Sequence, residues 1–272
     1  MPWHVDCQNL AQTLKQRLFI SQAPVAVRLL SHAEMSQEPA WLEKIKRPGR
    51  GLPEKVLTCQ AMAMVRLYGW QVLVTPEAVD CPTGLITMGW VAMSPEYLRG
   101  EIPVTPFNQS QQARAKRMEM VPYLERGSVA ALAAAPLEDC PFQPQVVVIY
   151  CSPAQAMRLV QASLFHHGGA VESSSAGAQG CSQYLTRVLQ TDQPRFVIPG
   201  NGDRIFGHVE ENQMAFSLPA GMMAQLAEGL EQSHLGGQPY PVPGYVRAEL
   251  SVSKAYARAS EHLRKYTQGQ AS

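Results

Sequence analysis

Residues 145–164 read Q-V-V-V-I-Y-C-S-P-A-Q-A-M-R-L-V-Q-A-S-L, and this stretch constrains the fold more than any other in the chain. The run from Val146 shows no alternation of polar and apolar residues, so it predicts a strand covered on both faces, which requires helices on each side of a sheet. Ser152 then suits an N-cap, with Pro153 at the first helical position, where a missing N–H costs nothing. Gly168 and Gly169 end the predicted helix.

The same grammar is written earlier in the chain. P-V-A-V-R-L-L-S-H-A-E from Pro24 falls on Q-V-V-V-I-Y-C-S-P-A-Q from Gln145, pairing Ser31 with Ser152 and Ala33 with Ala154. Downstream, T-C-Q-A-M-A-M-V-R-L-Y-G has its cysteine, Cys59, in the place that Cys181 takes in G-C-S-Q-Y-L-T-R-V-L-Q. Gly69 is the expected C-terminal stop of the first of these helices, and Q-V-L-V-T is the strand after it. T-G-L-I-T-M-G (83–89) falls on N-G-D-R-I-F-G (201–207). The reading is an α/β or α+β protein with a mixed sheet, flanking helices and two pseudo-repeated halves.

The remaining boundaries follow from local signals. Leu10, Leu14 and Leu18 predict an amphipathic helix over 6–20. Residues 1–100 form the N-terminal half and 101–144 a connector, which holds a polar helical run (109–118) and an alanine-rich strand (128–135). Residues 145–235 form the second half, and 236–272 a tail with a helix. All belong to one compact domain.

Composition narrows the function. The chain has 272 residues, 46% of them hydrophobic and 17% charged, and a net charge of +1 from 23 Lys plus Arg against 22 Asp plus Glu. That balance removes the basic footprint of a nucleic-acid binder. K-I-K-R-P-G-R (44–50) reads as a solvated loop. The N-terminus lacks a secretory pattern, and no apolar run approaches the roughly 18 residues of a membrane span, so the expectation is a cytoplasmic protein without a membrane partner. A small-molecule ligand and homo-oligomer assembly are the partners left open.

In that compartment the six cysteines are expected as thiols. Cys7, Cys140 and Cys151 read as buried and inert. Cys59, Cys81 and Cys181 stand at loop or strand-to-helix junctions, where functional groups of α/β folds gather and where a helix N-terminus favours thiolate. No C-x-x-C pair exists, so the reading rests on position rather than motif. Three converging thiolates suit a [4Fe-4S] cluster with one iron lacking a cysteine, or zinc with an open position. His208, Asp203 or Asn201 would neighbour that position.

The competing reading is a metal-free binding protein or a cysteine enzyme. A nucleophilic Cys59 or Cys181 needs a histidine, for which His166, His167 and His208 are the candidates. The glycine-rich entry to Cys181, including Gly180, and the loop Asn201–Gly202–Asp203–Arg204 offer backbone N–H groups and an arginine for a small anion. Neither a dinucleotide fingerprint nor a Walker loop is present, and F-H-H-G-G without C-x-x-C-H does not make a haem site.

T-C-Q-A, D-C-P-T-G, the S-P-A-Q-A-M-R-L-V-Q-A run and P-G-N-G-D-R together resemble the domain-of-unknown-function family 169, from about Pro24 to His234. The resemblance carries no activity with it. It implies a cysteine just before N-G-D-R, where this chain has Gly200, so a fourth cysteine ligand is missing here.

Overall fold

The computed structural model describes residues 2–103, 107–242 and 252–270. In chain order the first half runs α1 (Pro2–Leu18), β1 (Val25–Leu30), α2 (His32–Ser36), a short parallel pair β2 (Arg47–Pro48) and β3 (Gly51–Leu52), α3 (Thr58–Tyr68), β4 (Val72–Val74) and α4 (Pro82–Thr87). Between the halves lie α5 (Pro95–Leu98), α6 (Gln111–Glu119) and β5 (Ala131–Pro136). The second half follows as β6 (Val146–Cys151), α7 (Pro153–Ser163), a π-helical turn (Ser182–Thr186) leading into α8 (Arg187–Thr191), β7 (Arg195–Val197), α9 (Asn201–Ile205), β8 (Met214–Pro219) and α10 (Met223–Leu235). The tail carries α11 (Lys254–Gln270), whose described side chains are all exposed.

Six strands form one sheet in the order β4-β5-β1-β6-β8-β7, and every ladder in it is antiparallel. The parallel pairing of the expected mixed sheet is confined to β2–β3 and the Lys46–Val72 bridge at the β4 edge, for a definite physical reason. β1 and β4 run the same way, as strands joined through a helix do, but β5 is inserted between them and pairs antiparallel with both. β8 does the same between β6 and β7. Each half is a split β-α-β unit. The stretch read as a connector therefore supplies β5, a full member of the sheet.

Alternating side chains divide the core in two. Ala26, Leu30, Ala133, Val147, Ile149, Phe216 and Leu218 face one side, where they meet α1, α7 and α10. Val25, Val27, Leu29, Val146, Val148 and Tyr150 face the other, toward α3 and the π-helical turn. A strand buried on both faces earns its unbroken apolar sequence, since each valine withdrawn from water contributes about 1.5–3 kcal/mol.

Most of the local punctuation works as the sequence predicts, although α7 ends at Ser163 with Leu164 as its C-cap, ahead of the expected Gly168–Gly169 stop. Ser31 and Ser152 both close capping boxes: Ser152 Oγ accepts from the Gln155 N–H at 3.2 Å, and the Gln155 side chain accepts from the Ser152 N–H at 2.7 Å. Gly69 ends α3 in the left-handed region at φ 68°. Close approach fixes another glycine. A Cβ on Gly229 of α10 would lie 2.1 Å from the Ala162 carbonyl oxygen, so the backbones of α10 and α7 touch there without intervening side chains.

Candidate functional site

A cleft of about 300 Å³ opens on the α3 side of the sheet. Its floor is built from the starts of several helical segments. Thr58 and Cys59 open α3, Cys81 is the N-cap of α4, Cys181 precedes the π-helical turn, and Asn201 to Asp203 open α9. All three cysteines singled out by position line this one cleft, together with Gly180, Asn201, Gly202 and Asp203. Arg204 does not line it; its guanidinium donates to the Glu210 carbonyl at 2.6 Å.

Cys7, Cys140 and Cys151 lie buried in the core on the opposite side of the sheet. All six cysteines are free thiols. The histidines are not brought to the cleft. His166 pairs with Glu228 at 3.3 Å beyond the end of α7, and His208 is exposed just past α9 with φ 50°.

The wall beneath the thiols is held by one carboxylate. Asp203 is 4% exposed, accepts the Tyr184 hydroxyl at 2.9 Å on Oδ1, and accepts the Gly200 N–H at 3.0 Å on Oδ2. Gly180 makes this geometry feasible, since a Cβ there would lie 2.2 Å from Asp203 Oδ2. Gly200 is equally pinned, its would-be Cβ meeting Ala178 Cα at 2.8 Å. Gln179, between them, takes φ 61°, a left-handed backbone for a residue with a side chain.

Behind Asp203 lies a buried polar stack. Tyr150 packs edge-on against Tyr184 at 6.3 Å, and the Arg66 guanidinium lies 4.4 Å over the Tyr150 ring. Arg66 also donates to the Gly207 carbonyl oxygen and, at 2.5 Å, to Gln22 Oε1.

Electrostatics in the cleft favour neutral thiols. Burial, then the charge of Asp203, then Cys81, push the Cys59 thiol up to about 12. Cys181 is raised well above its ordinary value by burial and then by Asp203 and the other two cysteines. Burial likewise raises Asp203 itself. The helix starts are therefore outweighed by desolvation and like charge, and Cys59 and Cys181 hold their protons at neutral pH. Among the described residues, no three His, Cys, Asp or Glu side chains are grouped tightly enough to enclose a metal ion.

Sequence reasoning missed the opposite wall. Tyr97, Phe107 and Arg117 line it, from α5, the segment after it and α6. Phe107 stacks 5.5 Å from the Arg117 guanidinium. Nothing in the polar run Q-Q-A-R-A-K-R-M marks Arg117 out, because only the folded path of α6 carries it to the cysteines. Thr58 is legible only as the neighbour of Cys59, yet it is 3% exposed and its Oγ1 has no hydrogen-bond partner among the described residues.

Fold and cleft together define a class: a two-faced α+β protein built around an antiparallel sheet, with a thiol-lined cleft at helix starts on one side. The chain belongs to the domain-of-unknown-function family 169, described as an uncharacterised ArCR family, which it matches over residues 13–229. It is 26% identical to an uncharacterised protein of Methanocaldococcus jannaschii over 229 residues, covering 83% of this chain and 94% of that protein. No solved structure matches it. No helix among the described residues is long and apolar enough to cross a membrane.

Proposed function

We propose that the cleft is an iron-sulfur site, in which Cys59, Cys81 and Cys181 hold a [4Fe-4S] cluster with one iron left open. The observation that carries this reading is that three cysteines from three separate segments, on one side of the sheet, line a single cleft. Thiolate is the donor that iron-sulfur clusters take, so the donor set fits the group. Zinc with an open position is the alternative occupant of the same three thiolates. When bound, it would supply redox chemistry or a Lewis-acidic iron for an incoming ligand.

The chain's own residues prepare the place. Asp203 holds the α9 start against Tyr184, and Gly180 and Gly200 let the loop backbone approach closely enough to form the wall. The cysteine-nucleophile reading needs a base beside the thiol. No histidine lines the cleft to serve as one.

The sheet order supports the shared-site idea in another way. Reading inward from either edge, β4 and β7, β5 and β8, then β1 and β6 occupy matching places. Cys59 and Cys181 then open matching helical segments, and Cys81 and Gly200 are matching N-caps. On this reading the site straddles the junction of two repeated halves, and Gly200 is its corner without a thiol. Six free cysteines also suit a reducing, cytoplasmic setting.

Anaerobic purification followed by iron, sulfide and zinc analysis tests the proposal. Wild type is expected to carry about four iron and four sulfide per chain. Cys59→Ser and Cys181→Ser should lower that content, while Cys151→Ser, on the other side of the sheet, should not. Metal-free wild type, or cysteine variants with unchanged content, overturns it.

A further inference from the structure

The wall facing the cysteines holds a cation without an anion. Arg117 lines the cleft, and its Nε and Nη1 are buried with no hydrogen-bond partner among the described residues. No carboxylate of the described residues stands within ion-pair distance of it. Burying guanidinium N–H groups without partners costs free energy, and an anion reaching the guanidinium through the cleft would lower that cost with a charge-assisted bond. Phe107 stacks by the guanidinium, and Tyr97 and Phe206 add apolar surface to the same cleft.

A second, independent observation lies at the cysteine end. Thr58 lines the cleft, is almost fully buried, and its hydroxyl has no hydrogen-bond partner among the described residues. A buried hydroxyl without a partner is rare enough in folded proteins to require an explanation.

We propose that the cleft binds a small carboxylate with a flat apolar body, its carboxylate held by Arg117 and its far end carrying a hydrogen-bonding group that Thr58 receives. This rests on reading the cleft as a ligand-accepting site. It places the far end of the ligand on the cysteine side, beside the position that the proposed cluster leaves open.

Calorimetric titration of the anaerobically purified full-length chain tests the inference, with 4-hydroxybenzoate, 4-hydroxybenzamide and benzoate as probes. The acid is expected to bind at least about tenfold more tightly than its neutral amide, and more tightly than benzoate. Arg117→Gln should abolish the preference for acid over amide and leave iron and sulfide content unchanged. Arg117→Lys should restore part of the preference. Thr58→Val should abolish the preference for 4-hydroxybenzoate over benzoate.

Equal affinity for acid and amide, a preference that survives Arg117→Gln, or no binding of any probe overturns the inference. Metal-free wild type that still selects the acid through Arg117 leaves the inference standing and removes the cluster. Stoichiometric iron without acid selectivity does the reverse.

Discussion

Asp203 is the residue on which the cleft wall depends. Its two carboxylate oxygens satisfy a buried tyrosine hydroxyl and the N–H of Gly200, the N-cap of α9, and both donors would be orphaned by truncation. Asp203→Ala is expected to cost about 2–3 kcal/mol, the penalty for leaving such groups unpaired, read as a lowered urea midpoint. Asp203→Asn keeps an acceptor oxygen and should cost less. Equal stability of wild type and Asp203→Ala would remove the residue from this role. In the sequence N-G-D-R reads as a loop that sets both Asp203 and Arg204 beside a ligand. In the fold Asp203 lines the cleft and also braces its wall, while Arg204 binds a neighbouring carbonyl. Arg117 is invisible for the opposite reason, since one of two arginines in a polar helix carries no local mark of what it will face.

At the scale of elements, legibility followed locality. Strand β6, the capping boxes of α2 and α7, and the Gly69 stop of α3 depend on residues within a few positions, and each is present. The insertion of β5 and β8 between parallel neighbours depends on pairing over long separations, which periodicity does not encode. The α7–α10 contact is another long-range feature, and it offers a test. Gly229→Ala would drive a methyl into the Ala162 carbonyl and should destabilise the protein by about 1–3 kcal/mol, measured by thermal or urea denaturation. Gly221→Ala, where a Cβ meets nothing within 4 Å, is the matched control and should leave stability nearly unchanged.

For the whole molecule, the two cores predict an alkaline limit. Burial raises Cys7 to about 11 and Cys59, Cys140 and Cys151 to about 12, from an ordinary value of 9.0. Each folded thiol stays protonated where its unfolded counterpart ionises. The native state therefore holds more protons, and stability falls as pH rises. The contribution is complete below pH 9 and is lost between 9 and about 12, at about 1.4 kcal/mol per pH unit for each thiol held fully neutral. Tyr150 and Tyr184, both raised by burial, act in the same direction. Urea midpoints of metal-free protein from pH 8 to 10.5 should decline steeply, and less so in Cys151→Ala. A flat profile would contradict the burial of these groups.

The central place of β1 has a consequence for how the protein is made. Val25 stands opposite Pro136 on one side and Val148 on the other, more than a hundred residues later. At the usual pace of translation, on the order of ten seconds pass before either partner leaves the ribosome. Until then Val25–Leu30 is an aliphatic segment with two open edges, and the nascent chain must keep it from other chains. The strand at the middle of the finished sheet is thus the first to be synthesised and among the last to find its neighbours.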